Sequence, residues 1–180
     1  MAAYRFASSL LAKASDVRVL LLDVDGVMTD GGLYFCELGE SSKRFNTLDG
    51  HGLKLLQRAG IKPVVITGRD SPALRTRLSG LQIEHAQYGV ADKRVAADQC
   101  LQHLGVTWTQ TAAMGDDWPD LSMMKPSLLA FAPANAHPEV MAVAHHVTQA
   151  KGGEGAVREV CDLLLLSSGH YEPFLKAAMG

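Results

Sequence analysis

Two carboxylates, Asp23 and Asp25, stand two residues apart directly after the apolar run from Val17 to Leu22. That run is short and rich in β-formers, so it reads as a buried strand with the acids at its carboxyl end. In open α/β sheets that end is where ligands bind, and a carboxylate there can act as nucleophile or proton carrier. The plain alternative is a strand-end turn whose acids are solvated. A second apolar strand, Pro63 to Thr67, runs into Thr67-Gly68-Arg69, just before the helix opening at Ser71-Pro72. A hydroxyl, a glycine N–H and a helix N-terminus make an anion cradle, although an ordinary strand-to-helix turn has the same letters. Lys93 opens a further helix after Asp92. A cation there opposes the helix dipole by ~0.3–1 kcal/mol unless an anion compensates it. Residues Gln110 to Met114 read as a strand ending in Gly115-Asp116-Asp117-Trp118-Pro119-Asp120. Acids this close repel one another and resist burial. A hard cation removes the conflict, and carboxylate oxygens suit Mg²⁺, which takes one or two protein carboxylates together with substrate phosphate.

Each group needs an element to hold it. Leu33 to Phe35 and Lys43 to Phe45 flank a Gly-Glu-Ser segment and read as a β-hairpin. Leu53, Leu55, Leu56 and Ala59 give one helical face ending at Gly60; Val95, Ala96, Cys100, Leu101 and Leu104 give another ending at Gly105. A short helix at Leu121 to Lys125, a strand at Leu128 to Phe131, a helix at Pro138 to Val143, a strand at His145 to Thr148 and a helix at Glu154 to Leu166 follow. Residues after Ser167 read as a loose tail. Alternating strands and helices predict an α/β, doubly wound parallel sheet with helices on both faces. All four chemical groups then fall on one edge of the sheet. Together they form the inventory for phosphoryl transfer, in which positioning and charge neutralisation do most of the catalysis.

Composition bounds the rest. The 180 residues fit one domain, and 47% hydrophobic with 20% charged residues excludes a wholly disordered chain. A formal charge of −2 lacks the basic excess of a nucleic-acid binder, so no nucleic-acid partner is expected. No apolar run reaches the ~18 residues of a membrane span, so no membrane partner is expected either. Three scattered cysteines without CxxC spacing support neither a zinc site nor a disulfide framework, which fits a reducing, cytoplasmic location. The opening MAAYRFASSLLAKAS reads as a mature N-terminal helix, because Ser8, Ser9 and Lys13 interrupt its apolar stretch.

The four motifs resemble those of the haloacid dehalogenase superfamily of aspartate-nucleophile phosphatases. DVDGVMTD (23–30) is similar to the first, ITGR (66–69) to the second, Lys93 to the third and GDDWPD (115–120) to the fourth. FNTLDGHG (45–52), the ITGR segment and GGEGAVREVCDLLLL (152–166) further resemble the 3-deoxy-D-manno-octulosonate 8-phosphate phosphatases of lipopolysaccharide biosynthesis, with Leu48 where that family often has a basic residue. The resemblance implies a Mg²⁺-dependent phosphatase with a β-hairpin near 32–46 in place of a cap domain, and a tail over 168–180. Asp23 is the implied nucleophile and Asp25 the proton carrier, with Thr67 and Lys93 on the phosphoryl oxygens. Asp23, Asp25 and Asp116 would hold the metal, and Asp117 and Asp120 would orient what surrounds it. The sugar acid would meet Asn46, Thr47, Leu48, Asp49 and Gly50, and the cations Lys54, Arg69 and Arg77. Without a cap, the expected assembly is a homotetramer whose hairpins cover neighbouring sites, with the tail reaching towards an adjacent one. The rival substrate is an acylneuraminate 9-phosphate. Rivals of another class are a non-catalytic oligomerising module and a phospho-receiver domain, whose acids are distributed differently along the chain.

Overall fold

A computed structural model describes residues 6–37 and 39–180. The chain begins with α1 (Ser8–Ala14) and β1 (Val19–Leu22), followed by the hairpin strands β2 (Tyr34–Cys36) and β3 (Gly39–Ser42). Next come α2 (Thr47–Arg58), β4 (Lys62–Ile66), α3 (Pro72–Leu81), β5 (His85–Gln87) and α4 (Lys93–Leu104). The second half holds β6 (Thr111–Met114), α5 (Leu121–Met124), β7 (Leu129–Ala132), α6 (Pro138–Val143), β8 (His146–Val147), α7 (Ala156–Ser167) and α8 (Tyr171–Met179). Six strands form one parallel sheet in the order β5-β4-β1-β6-β7-β8.

The centre of the sheet follows from the letters of β1. All four side chains of Val-Leu-Leu-Leu are buried, as a strand covered on both faces requires. Strand alternation sends Leu20 and Leu22 to one face, with Leu53 and Leu56 of α2, Leu74 and Leu78 of α3 and Val160 and Leu164 of α7. Val19 and Leu21 go to the other, with Ala97 and Leu101 of α4, Met123 and Met124 of α5 and Val140 of α6. Burying each Leu or Val contributes about 1.5–3 kcal/mol, so the strand that carries the acids is also a hub of the core.

The helices start where their caps dictate. Asn46, Ser71 and Asp92 accept bonds from Leu48 N, Leu74 N and Arg94 N, opening α2, α3 and α4. Pro72 takes the first position of α3, and Gly105 ends α4 at φ 65°.

Three expectations need correcting. The Gly-Glu-Ser letters read as the hairpin turn are themselves strand β3, and Lys43–Phe45 is not strand. Cys36 pairs with Gly39, whose φ of 107° lets the chain reverse two or three residues earlier than expected. Phe45 then leaves the ribbon because it packs against the core. The strand β5 had no place in the sequence reading: His-Ala-Gln carries no apolar run, and it lies at the sheet edge. The segment after Ser167 is not a loose tail, since α8 packs Tyr171 and Phe174 on the core and the Arg58 guanidinium lies 4.7 Å from the centre of the Phe174 ring. Pro173 is tolerated because it sits in the first turn, where its missing N–H has no helical partner.

Candidate active site

Every strand-end motif named from the sequence arrives at one edge of the sheet. Asp23 continues β1, its N–H donating to the Met114 carbonyl at 3.1 Å, and is 6% exposed. The next residues turn sharply: the N–H groups of Val27, Met28 and Thr29 all donate to the Val24 carbonyl. Gly26, at φ 95°, has no alternative, because a Cβ there would collide with the Asp116 carboxylate. The two acidic motifs therefore touch through a position without a side chain.

Lys93 is buried and joins two strand ends, donating to Asp23 Oδ1 at 2.5 Å and Asp120 Oδ1 at 2.6 Å. The adverse dipole at the start of α4 is thus offset by two carboxylates. Burial opposes the charge of Lys93, but Asp23 and Asp120 more than restore it, and its pKa rises. Asp120 Oδ2 accepts from the N–H groups of Asp116 at 2.9 Å and Asp117 at 3.2 Å. Asp117 is exposed and caps the 3₁₀ turn Trp118–Asp120 through Trp118 N. Asp120 therefore orients both the lysine and the acidic loop.

The carboxylates that remain are under electrostatic pressure. Burial, then the charge of Asp120, pushes Asp23 up to about 6 despite Lys93. Burial, then Asp23 and Asp120, pushes Asp116 up to about 8, and its carboxylate receives no hydrogen bond among the described residues. One oxygen each from Asp23, Asp116 and Asp120 lies within 4.8 Å of the others. Both Asp120 oxygens already accept donors, which leaves Asp23 and Asp116 as the carboxylates suited to a hard divalent cation, the donor set expected for Mg²⁺. Thr67 follows β4, is 1% exposed, and accepts from Arg69 N at 3.2 Å through its hydroxyl.

Asp25 has a partner the sequence reading missed. Lys43, at the foot of the hairpin, donates to Asp25 Oδ1 at 2.5 Å and pairs with Glu40 at 2.8 Å; its side chain is 1% exposed. Arg69 Nε lies 3.8 Å from the other oxygen, Asp25 Oδ2. The signal available was a lysine six residues before Asp49, on an arm read as strand; nothing in the sequence aimed it inward.

The expected sugar-acid contacts divide. Asn46, Thr47 and Leu48 form the start of α2, with Leu48 56% exposed and Lys54 exposed further along. Asp49 instead points inward: it is 2% exposed and its Oδ1 accepts from Arg158 N at 2.8 Å at the start of α7. Burial raises it to about 6 against the pull of those N–H groups. A Cβ on Gly50 would strike Arg77, whose guanidinium donates to the Asn46 carbonyl at 3.0 Å. Asp49, Gly50 and Arg77 thus brace α2 against α7 and α3. The glycines before α7 form a close-packed lid on the turn that follows Asp23. Gly153 N donates to the Val27 carbonyl at 3.1 Å, Gly152 N to Asn135 Oδ1 at 2.8 Å, and a Cβ on Gly152 would overlap the Gly26 carbonyl.

The sheet order and the strand-end acids with their lysine define a haloacid dehalogenase-like hydrolase, and residues 88–160 match the model of that family. The 3-deoxy-D-manno-octulosonate 8-phosphate phosphatase KdsC of Yersinia pestis is 43% identical over 92% of this chain and 89% of that protein. The protein of that name from Escherichia coli K12 is 41% identical over 90% and 86%. A crystal structure of the Yersinia pestis phosphatase superposes with a TM-score of 0.90 at 42% identity, covering 93% of this chain and 90% of that one. One from Moraxella catarrhalis, in complex with magnesium, phosphate and a KDO molecule, gives 0.92 at 32% identity over 96% and 99%. The chain belongs to the KdsC family of 3-deoxy-D-manno-octulosonate 8-phosphate phosphatases.

Proposed function

We propose that this chain hydrolyses 3-deoxy-D-manno-octulosonate 8-phosphate to the free sugar acid and phosphate through an aspartyl-phosphate. The observation that carries the reading is Lys93 held between Asp23 and Asp120, with Asp116 unpartnered beside them. Asp23, Asp116 and the backbone of Asp25 would hold Mg²⁺, which would supply positive charge that lets a carboxylate and a phosphate dianion meet. A carboxylate oxygen of Asp23 attacks phosphorus. The bond from phosphorus to the sugar oxygen breaks, and that oxygen takes a proton from Asp25. Asp25, now anionic, takes a proton from the water that attacks the phospho-Asp23, restoring the Asp23 carboxylate and releasing phosphate. Thr67 and Lys93 hold the phosphoryl oxygens, and Arg69, Asn46, Thr47, Leu48 and Lys54 face the sugar acid.

Residues 1–180 act as one domain, in the cytoplasm, as a homotetramer. Support for the assembly comes from the hairpin, where Leu33, Tyr34 and Phe35 are 41%, 46% and 61% exposed on a ribbon with unpaired edges. Support for the location comes from three free cysteines, and no helix among the described residues is long and apolar enough to cross a membrane. Phosphate release from a panel of sugar-acid phosphates with Mg²⁺ tests the activity. Preference for the eight-carbon acid is expected; preference for an acylneuraminate 9-phosphate would reassign the substrate, and no release from any member would overturn the reading.

A further inference from the structure

Lysine side chains next to two-stranded ribbons ordinarily reach into water, and the neighbours of Lys43 do: Ser41, Ser42 and Arg44 are exposed. Lys43 does not. Its side chain is 1% exposed and its ammonium is shared between Glu40, three residues back on β3, and Asp25 in the nucleophile loop. Burying an ammonium is costly unless it is paired and hydrogen-bonded, so two carboxylates are what keep it there. Among the described residues these are the ion pairs that tie the hairpin to Asp25.

The two Asp25 oxygens are thereby made unequal. Oδ1 is taken by Lys43 at 2.5 Å, whereas Oδ2 has only Arg69 Nε at 3.8 Å, beyond hydrogen-bond range. A carboxyl group that shuttles a proton needs one oxygen free for it and a fixed orientation for that oxygen. We propose that Lys43, itself steadied by Glu40, is a positioning residue that pins Asp25 through Oδ1 and so assigns the proton transfers to Oδ2. In the first half-reaction the Oδ2–H bond breaks as the sugar oxygen gains that proton and leaves phosphorus. In the second, Oδ2 takes a proton from the attacking water. The inference rests on Asp25 as the proton carrier. It adds that a residue at the foot of the hairpin, outside the four motifs, sets how well Asp25 does this.

Two substrates separate this role from a structural one. A sugar 8-phosphate expels an alkoxide that needs a proton, whereas p-nitrophenyl phosphate expels a phenolate that does not. The quantity to compare is kcat/KM, which reports events up to departure of the leaving group. With Asp25→Asn, kcat/KM for the sugar phosphate should fall by about 10²–10⁴ and that for p-nitrophenyl phosphate far less. Lys43→Met should show the same asymmetry at about 10–100-fold with little change in KM, Glu40→Gln a weaker version, and Lys43→Arg substantial recovery. Equal losses on both substrates in Asp25→Asn would overturn the proton-carrier reading and this inference with it. Asymmetry in Asp25→Asn but equal losses in Lys43→Met would overturn this inference alone. If Lys43→Met does not fold, Glu40→Gln carries the same decision, since it keeps the lysine and removes only its second anchor.

Discussion

The crevice at the sheet edge and the hairpin above it are held by opposite means. In the crevice each group is fixed several times over: Asp23 by the β1–β6 ladder and Lys93, Asp120 by the lysine and two N–H groups, Gly26 by contact with Asp116. The hairpin has two short strands, a register irregularity between Tyr34 and Phe35 and three large apolar side chains in water. A ribbon of this kind is marginal on its own. The contrast places charge chemistry where the backbone cannot move, and apolar surface where a partner can still be accommodated. Among the described residues, Lys43 is the ion-pair link between the hairpin and Asp25.

The largest effect is expected at Asp23, the proposed nucleophile. Asp23→Asn should lower turnover by about 10⁴ or more, assayed on material shown free of deamidation, while the thermal midpoint stays level or rises. A neutral amide keeps a hydrogen-bonding oxygen for Lys93 and removes repulsion from Asp120. A midpoint falling by many degrees would mean that the crevice depends on the Asp23 charge for its structure.

Metal binding probes the same charges. EDTA should abolish turnover and Mg²⁺ restore it. Without metal, Asp116 stands at about 8 and is mostly protonated at pH 7, so binding must expel that proton. Calorimetry in two buffers of different ionisation enthalpy should therefore find close to one proton released per Mg²⁺ at pH 7. The apparent affinity should weaken by up to about tenfold per unit as pH falls below 8, steepening near 6 where Asp23 also protonates.

Asp49 tests burial without a metal. Its folded value of about 6 exceeds the ordinary 3.8, so the folded chain holds this proton more tightly than the unfolded chain. The penalty is therefore absent below pH 4, grows between 4 and 6 and is complete above 6, at most about 3 kcal/mol for two units. Asn is an equally good cap, so Asp49→Asn should raise the midpoint above pH 6, with the gain vanishing near pH 4 in a melting series. Gly152→Ala should cost about 1–3 kcal/mol in denaturant melts, because its Cβ would overlap the Gly26 carbonyl. The smallest effect on the fold itself belongs to the hairpin: Phe35→Ser should leave the stability of a single chain within about 0.5 kcal/mol. If Phe35 seals the proposed tetramer, light scattering of Phe35→Ser should show the four-chain mass lost; an unchanged mass would remove Phe35 from the interface.

The difference between the regions also marks what could be read from the letters. β1, β4, β6 and the acids after them were legible because buried parallel strands are continuous apolar runs and the acids punctuate them. Helix α6 was legible from His-Pro, with Pro138 at its first position. The hairpin register was not, since Gly39 is a turn letter that here sits in a strand. Helix α8 was not: the residues after Ser167 read as a loose tail, and Gly169 and Pro173 are letters that discourage a helix although one precedes it and the other occupies its first turn. Among the candidate residues, those next to strand ends were legible, and the contact of Lys43 with Asp25 was not. Asp49 and Arg77 were assigned to substrate from resemblance, whereas their placement is explained by contacts between helices.

The position of β1 has a consequence for how the molecule comes into being. Its neighbours β4 and β6 lie some forty and ninety residues further along the chain, so neither pairing can form by local search. Loop closure over such spans is slow, and the entropy it costs is recovered only once the flanking helices have docked. The turn that carries Asp23 and Asp25 hangs from this strand, and Asp116 from its partner β6. On the ribosome, β6 emerges only after well over half the chain has been made, so no nascent fragment short of it can assemble the acid cluster. Refolding should accordingly recover helical signal well before phosphate release, and the acid cluster stays incomplete until the chain around it is finished.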